Sequence, residues 1–339
     1  MARVAGRFRR VEPRRRARAY MWGLLTPLAG KNGWTLAEAA GENTPDGMQR
    51  LLNRSAWDAD AVRDDLRDYV AEHLGDADGV LIIDETGFLK KENQVRRRPT
   101  PVLRDRRTDR ELPARGVPGV RVRARAMLRR ALDAGLLARW VTADEAYGKD
   151  SKFRLWLQTQ RMGYVLAVAC NQKIPTDGGS ARADELAAAA PAPAWKRRSC
   201  GAGAKGPRLF DWAVATLPDT GTAEHGFTRW LLIRRSITDP TELAYYLCYG
   251  PADTDDEELI RVAGTRWAVE ECVQTAKGQV GLDDYQVRRY DAWYRHITLA
   301  MCAHAFLTVT AAKAERGAPP TGPASFPSAS PRLDVSWHT

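Results

Sequence analysis

The chain has little of what marks a secreted or membrane-embedded protein. Its five cysteines, Cys170, Cys200, Cys248, Cys272 and Cys302, never form a Cys-x-x-Cys pair, and an odd, scattered set in 339 residues makes no disulfide framework. Reduced thiols, most of them packed in the core, are expected. No run approaches eighteen apolar residues, and the basic N-terminus leads into an amphipathic stretch rather than a signal h-region. These absences argue against a membrane span or secretion and for a cytoplasmic protein. Lysine is scarce, 10 against 42 arginines. His296 and His304 flank Cys302 without zinc-site spacing, so satisfied core or surface histidines are expected.

What is present is a foldable composition. With 44% hydrophobic and 28% charged residues the chain can build one large core or two medium ones, and a disordered chain is excluded. The net charge of +10 is local. Residues 1–20 hold eight arginines and one acid (+7), residues 92–126 hold eleven arginines and four acids (+7), and the remainder is therefore at −4. Two arginine-dense segments on a mildly acidic body point to a polyanion, with nucleic acid the first candidate; solvated surface charge or GC-rich coding is the bland alternative.

The periodicity sets out an order of elements. Residues 1–19 read as a basic arm and 20–78 as a helical, DNA-binding domain, in which Thr44 and Pro45 look like an N-cap and first helical position. Val62, Leu66, Tyr69, Val70 and Leu74 recur at helical spacing up to Gly75. Val80-Leu81-Ile82-Ile83 is a short apolar run that suits a strand buried on both faces. Further strands are expected at 138–143, 163–169, 230–237 and 243–249, with helices at 126–137, 150–161, 254–278 and 290–313. Such alternation indicates an α/β core over 79–170 and 230–315, with 171–229 as an insertion domain. The proline- and serine-containing tail 316–339 is expected to be disordered. Residues 92–126 are anomalous: a sheet begun at Val80 should continue there in paired strands, yet the segment shows arginine and proline in place of alternation.

Three acids carry the chemistry. Asp84 and Asp144 each close a short apolar strand and are each followed by a glutamate and a glycine-containing turn. Ligand sites in open α/β sheets lie beyond the carboxyl ends of strands, and two carboxylates there could share hard divalent cations. Taken singly, each is more often an N-cap or a surface acid. Arg266, Glu270 and Lys277 stand at helix offsets that project them within roughly 40° of one another, a carboxylate between two cations. That suits a metal ligand beside backbone phosphates, or an ordinary ion pair on a solvated helix. Gly201-Ala202-Gly203-Ala204-Lys205-Gly206 lacks the ending of a phosphate loop and reads as a flexible insertion loop. Trp195, Trp212 and Trp230 could stack on bases, though core packing is the commoner use.

Three long words resemble the catalytic blocks of bacterial DDE transposases: Leu81-Ile82-Ile83-Asp84-Glu85-Thr86-Gly87-Phe88-Leu89-Lys90-Lys91, Val141-Thr142-Ala143-Asp144-Glu145-Ala146-Tyr147-Gly148, and Arg266-Trp267-Ala268-Val269-Glu270-Glu271-Cys272-Val273-Gln274-Thr275-Ala276-Lys277. Gly281-Leu282-Asp283-Asp284-Tyr285-Gln286-Val287-Arg288-Arg289-Tyr290 is similar to the insertion sequence 701 group. The resemblance implies an RNase H-like mixed sheet with flanking helices, an insertion domain between the second Asp and the Glu, and an N-terminal helical domain. It implies two Mg²⁺ ions, replaceable by Mn²⁺, on Asp84, Asp144 and Glu270, with Arg266, Lys277 and Arg288 on DNA phosphates. Double-stranded DNA, as terminal inverted repeats and target, is the implied partner, bound by a homodimer in the bacterial cytoplasm at the nucleoid, with no membrane.

The match has a gap. The tyrosine of the family motif is replaced by Ala263, and only 60 residues separate Asp84 from Asp144 against 126 from there to Glu270. The short interval and the arginine density of 92–126 together suggest a deletion with a shifted reading frame. The expectation is a transposase impaired by loss of core strands. The alternatives are a catalytically dead derivative that only recognises element ends, and a different nuclease on the same core.

Overall fold

A computed structural model of the chain describes residues 2–84, 118–203, 206–219 and 225–317. Five helices open it: α1 (Ala2–Ala5), α2 (Val11–Leu25), α3 (Gly33–Ala39), α4 (Asp46–Asn53) and α5 (Ala59–Leu74). There follow strand β1 (Val80–Ile83), helix α6 (Pro118–Asp133), strand β2 (Trp140–Ala143), helices α7 (Glu145–Gly148) and α8 (Ser151–Thr159), and strand β3 (Gly163–Val168). A hairpin of β4 (Lys173–Thr176) and β5 (Gly179–Arg182) precedes helix α9 (Ala183–Ala189). Strands β6 (Lys196–Gly203), β7 (Gly206–Thr216), β8 (Phe227–Arg235) and β9 (Leu243–Pro251) lead to helices α10 (Asp256–Thr265), α11 (Trp267–Val280) and α12 (Tyr290–Gly317). Two units are distinguished, one holding the chain up to Gly75 with Asp133–Leu136 and the stretch from Ala268, the other holding Asp76–Leu132 and Leu137–Trp267.

In the helical unit, local chemistry sets the helix ends. Asn32 caps α3 by accepting from the backbone of Trp34 and Thr35 at 2.9 and 3.3 Å, and Asp58 does the same for α5 through Asp60 and Ala61. α5 stops at Gly75, where a Cβ would lie 2.4 Å from the Ala71 carbonyl oxygen. α4 starts at Asp46, one residue beyond the expected Pro45, with Pro45 as its cap. The N-terminal segment is folded: Arg7 grips the buried Asp65 through two bonds of 2.8 and 2.6 Å, and Phe8 stacks on Trp57 at 5.1 Å. A fork on a carboxylate makes burial of that acid tolerable.

α12 is the spine of this unit, packing on α2, α4 and α5. It is long and apolar enough by length and composition to cross a membrane, although His296, Thr298 and His304 interrupt it so that no unbroken apolar run stands in the sequence. His296 is buried, its Nδ1 2.8 Å from the Tyr20 hydroxyl and its Nε2 3.1 Å from the Gly281 carbonyl. A carbonyl can only accept, so Nε2 carries the proton and Tyr20 donates to Nδ1.

In the sheet unit, β1, β2 and β3 run parallel with Ile83 opposite Ala143 and Ala143 opposite Leu166. β9 joins β3 antiparallel, and β8, β7 and β6 follow, giving a seven-stranded mixed sheet in the order β1-β2-β3-β9-β8-β7-β6. Val141, Ala143, Tyr164 and Leu166 face a core with Leu128, Phe153, Trp156 and Leu157. Trp140 and Val165 face the opposite one with Leu259, Ile260 and Val262 of α10. Period-two alternation thus feeds helices on both faces, the mixed α/β class expected. Trp212 and Trp230 fill the second core, and Trp195 lies under the Arg235 guanidinium at 4.0 Å.

Several expectations need correction. β1 is half-buried along its whole length, unlike the fully buried β2, because among the described residues it is the edge of the sheet. Of the glycine-rich 201–206 segment, residues 201–203 end β6 and Gly206 opens the antiparallel β7, and Gly201 and Gly203 give the side chain of Arg208 room to cross β6. α6 begins at Pro118, earlier than expected. The rest of the anomalous 92–126 stretch and the tail from 318 lie outside the described residues. All five thiols are free; Cys200, Cys248 and Cys302 are buried.

Two outcomes follow for stability. Trp140 lies against glycine backbone on two neighbours, since a Cβ at Gly163 or Gly250 would come within 2.7 or 2.6 Å of its ring. Gly250→Ala is expected to cost about 1–3 kcal/mol, read from urea unfolding. Burial also lowers the pKa of His296 and of His304. The unfolded chain then binds protons that the folded one refuses, so stability is full above about pH 6.5 and falls on acidification below it. His296→Gln should flatten part of that slope, leaving the share of His304.

Candidate active site

The parallel pairing of β1 with β2 fixes two carboxylates. Asp84 follows Ile83 and Asp144 follows Ala143, and those two residues are register partners. Both acids therefore leave the carboxyl ends of adjacent strands, whose backbones are about 5 Å apart. Both are half-buried.

The word Asp144-Glu145-Ala146-Tyr147-Gly148 can be read residue by residue. The Asp144 carboxylate caps α7 by accepting from the Ala146 N–H at 2.9 Å through Oδ1, leaving Oδ2 without a hydrogen bond among the described residues. Tyr147 is buried against Phe153, ring centroids 6.1 Å apart. Gly148 lies so close to β3 that a Cβ would meet the Ala167 carbonyl oxygen at 1.8 Å. The cap therefore does not exclude a ligand role; it holds one oxygen and leaves the other.

The other sequence-derived residues are placed differently. Arg266 stands with helical angles (φ −56°, ψ −32°) between α10 and α11, so the helix that was expected to be continuous over 254–278 is broken there. Glu270 is exposed in the first turn of α11 and Lys277 half-buried in the last, two turns on along the same face. Both are counted with the helical unit and Arg266 with the sheet unit. Arg288 is exposed in the segment before α12. The structure thus sets Asp84 beside Asp144 by strand pairing. Among the described residues no three His, Cys, Asp or Glu side chains gather into one metal-binding group. The pair itself fits a divalent cation in donor chemistry: hard carboxylate oxygens at a half-buried strand end, of the kind that Mg²⁺ takes alongside phosphate and water.

One feature of the sheet unit escaped sequence reasoning. Phe210 and Trp267 stack with centroids 6.1 Å apart and planes 3° from parallel. Arg208 and Arg234 lie over Trp267 at 4.8 and 5.2 Å, and Arg234 over Phe210 at 4.5 Å. The Nε atoms of Arg208, Arg234 and Arg266 are buried and make no hydrogen bond among the described residues. The result is aromatic-backed positive charge on Trp267 and Phe210, with Arg266 next to Trp267 in the chain. The adjacency of Trp267 to Arg266 was the available signal, but the two arginines come from strands distant in sequence.

Residues 3–98 match the model described as DDE superfamily endonuclease, and residues 120–306, more than half of the chain, match the model described as Transposase DDE domain. The chain belongs to the DDE transposase family. No curated protein matches it. A DDE transposase acts on DNA and depends on divalent metal, which accords with a carboxylate pair at the carboxyl edge of a mixed sheet. The two matches leave residues 99–119 between them, inside the arginine-dense stretch.

Asparagine at 144 keeps an oxygen for the Ala146 N–H, whereas alanine does not. Asp144→Asn is therefore expected to unfold at nearly the wild-type urea concentration, and Asp144→Ala to lose about 0.5–2 kcal/mol. That contrast makes the asparagine variant the appropriate probe of charge.

Proposed function

We propose that this transposase cleaves and joins DNA strands at the ends of an insertion sequence of the 701 group. Asp84, Asp144 and Glu270 are the metal ligands in this reading. The observation that carries it is the placement of Asp84 and Asp144 side by side through the Ile83–Ala143 register. Two Mg²⁺ ions, or Mn²⁺ in their place, would supply the means to activate an attacking water or 3′-hydroxyl and to stabilise the leaving oxygen in an in-line displacement at phosphorus.

The chain's own residues do the positioning. Asp144 presents Oδ2 while its cap holds Oδ1, and the close seating of Gly148 on β3 prevents α7 from drifting. Arg266, Lys277 and Arg288 neutralise backbone phosphates, with Arg208 and Arg234 over the neighbouring Trp267. The N-terminal helices recognise terminal inverted repeats, and the DNA-bound form is a homodimer in the bacterial cytoplasm, at the nucleoid.

A specific observation favours weakened catalysis in this chain and, as the second reading, its complete loss. Asp84 ends a four-residue strand that is half-buried and has only β2 as a partner among the described residues. A carboxylate on such an edge is held less firmly than one inside a sheet. The family matches also break at 99–119, where a frameshifted remnant would fall. In the limit the chain is a DNA-binding derivative that recognises ends without cutting.

The test is strand cleavage by the purified full chain on duplexes carrying the inverted repeats that flank its own coding region, with Mg²⁺ or Mn²⁺. The expected result is weak nicking that Asp84→Asn, Asp144→Asn and Glu270→Gln each abolish, with loss of at least a hundredfold. Metal-dependent nicking that survives all three substitutions would refute the site. Tight binding with no nicking in either metal would establish the second reading.

A further inference from the structure

The structure divides the eight arginines of residues 1–20 into two groups. Arg3, Arg7 and Arg16 each meet an acid: Glu72, Asp65, and Glu12 with Glu42. Arg14 donates to the Phe8 carbonyl at 3.2 Å. These four tie the segment to itself, to α5 and to Glu42 between α3 and α4. Arg9, Arg10, Arg15 and Arg18 are exposed, and their side chains have no ion pair or hydrogen bond among the described residues.

The second group has a geometry. At about 100° per residue, Arg15, Arg18 and Trp22 project from α2 within about 60° of one another. The buried positions Ala17, Tyr20, Met21 and Leu24 occupy the opposite side. Trp22 is 67% exposed, an unusual setting for an indole that could have been folded inward. Glu12, the acid of this helix, is occupied by Arg16 at 2.7 Å and does not neutralise the stripe. Arg9 and Arg10 continue the positive charge past the N-terminal end.

We infer that this face of α2 is the duplex DNA-docking surface of the helical unit, with Arg15 and Arg18 on backbone phosphates and Trp22 against the groove wall. The inference rests on the reading of the chain as a DNA-acting transposase and assigns the contact to one helix face. The occupant is argued from charge and shape complementarity. The guanidiniums match phosphate chemistry, a single helix fits the roughly 12 Å major groove, and the stripe lacks the wide apolar face with which an amphipathic helix enters a lipid surface.

The experiment is fluorescence anisotropy of a short labelled duplex of arbitrary sequence titrated with the full chain over a range of salt. Parallel titrations use Arg15→Gln/Arg18→Gln, Trp22→Ala and, as a control, Arg7→Gln, with anionic lipid vesicles as a second probe. For the double variant the slope of log K against log[salt] should flatten by about 2, with at least tenfold weaker binding at physiological salt. Trp22→Ala should weaken binding severalfold with the slope unchanged. Arg7→Gln should lower the unfolding midpoint and leave the slope intact. Wild-type binding with an unaltered slope in the double variant overturns the docking surface and leaves the DNA reading standing. Absence of any wild-type binding removes both. Vesicle binding lost in the double variant while duplex binding persists assigns the face to a membrane and overturns the proposal.

Discussion

Everything chemical in the sheet unit depends on one backbone arrangement, the parallel pairing of two four-residue strands. With Val80 opposite Trp140 and Ile83 opposite Ala143, the residues that follow emerge side by side, and both are aspartates. A slip of one position would turn each strand over and send its core residues to the wrong face, and the Asp84–Asp144 juxtaposition would be lost with them. What resists that slip is β2, whose four residues are all buried, with Trp140 held against glycine backbone at Gly163 and Gly250.

That support is lopsided. On one side β2 is backed by β3 and then by β9, where Tyr164 stacks on Tyr249 at 5.5 Å. On the other side stands only β1, half-buried, an edge among the described residues. Two different family models match residues 3–98 and 120–306, and neither covers 99–119. Asp144 is thus anchored by a cap, a buried tyrosine and a tightly seated glycine, whereas Asp84 relies on one neighbouring strand. Among the described residues the two carboxylates are therefore unequally supported, Asp144 firmly and Asp84 less so.

Positive charge has a comparable split. Counted in sequence, the N-terminal arginines form an undifferentiated basic arm. In the structure some of them are structural, as where Arg7 meets the buried Asp65, and others face solvent along α2. Arg208 and Arg234 show the converse: nothing in their local sequence suggests a shared role, yet β7 and β8 carry both to one indole. Charge pattern reveals how much positive potential exists, and packing decides which of it remains available to a ligand.

The strand and helix order was legible because apolar periodicity and end signals are local: the β1 and β2 runs, the Gly75 stop and the long α12 all follow from residues near in sequence. The resemblance blocks likewise named Asp84, Asp144 and Glu270 without any coordinates. The break at Arg266, the edge character of β1 and the continuation of the sheet through β7 and β6 were not legible, since each depends on partners far along the chain. By itself the sequence determined most of the elements and the DDE family, and it nominated the acids. Only the tertiary structure decided which acids become neighbours, because hydrogen-bonded register between distant strands is a pairing property that no single segment contains.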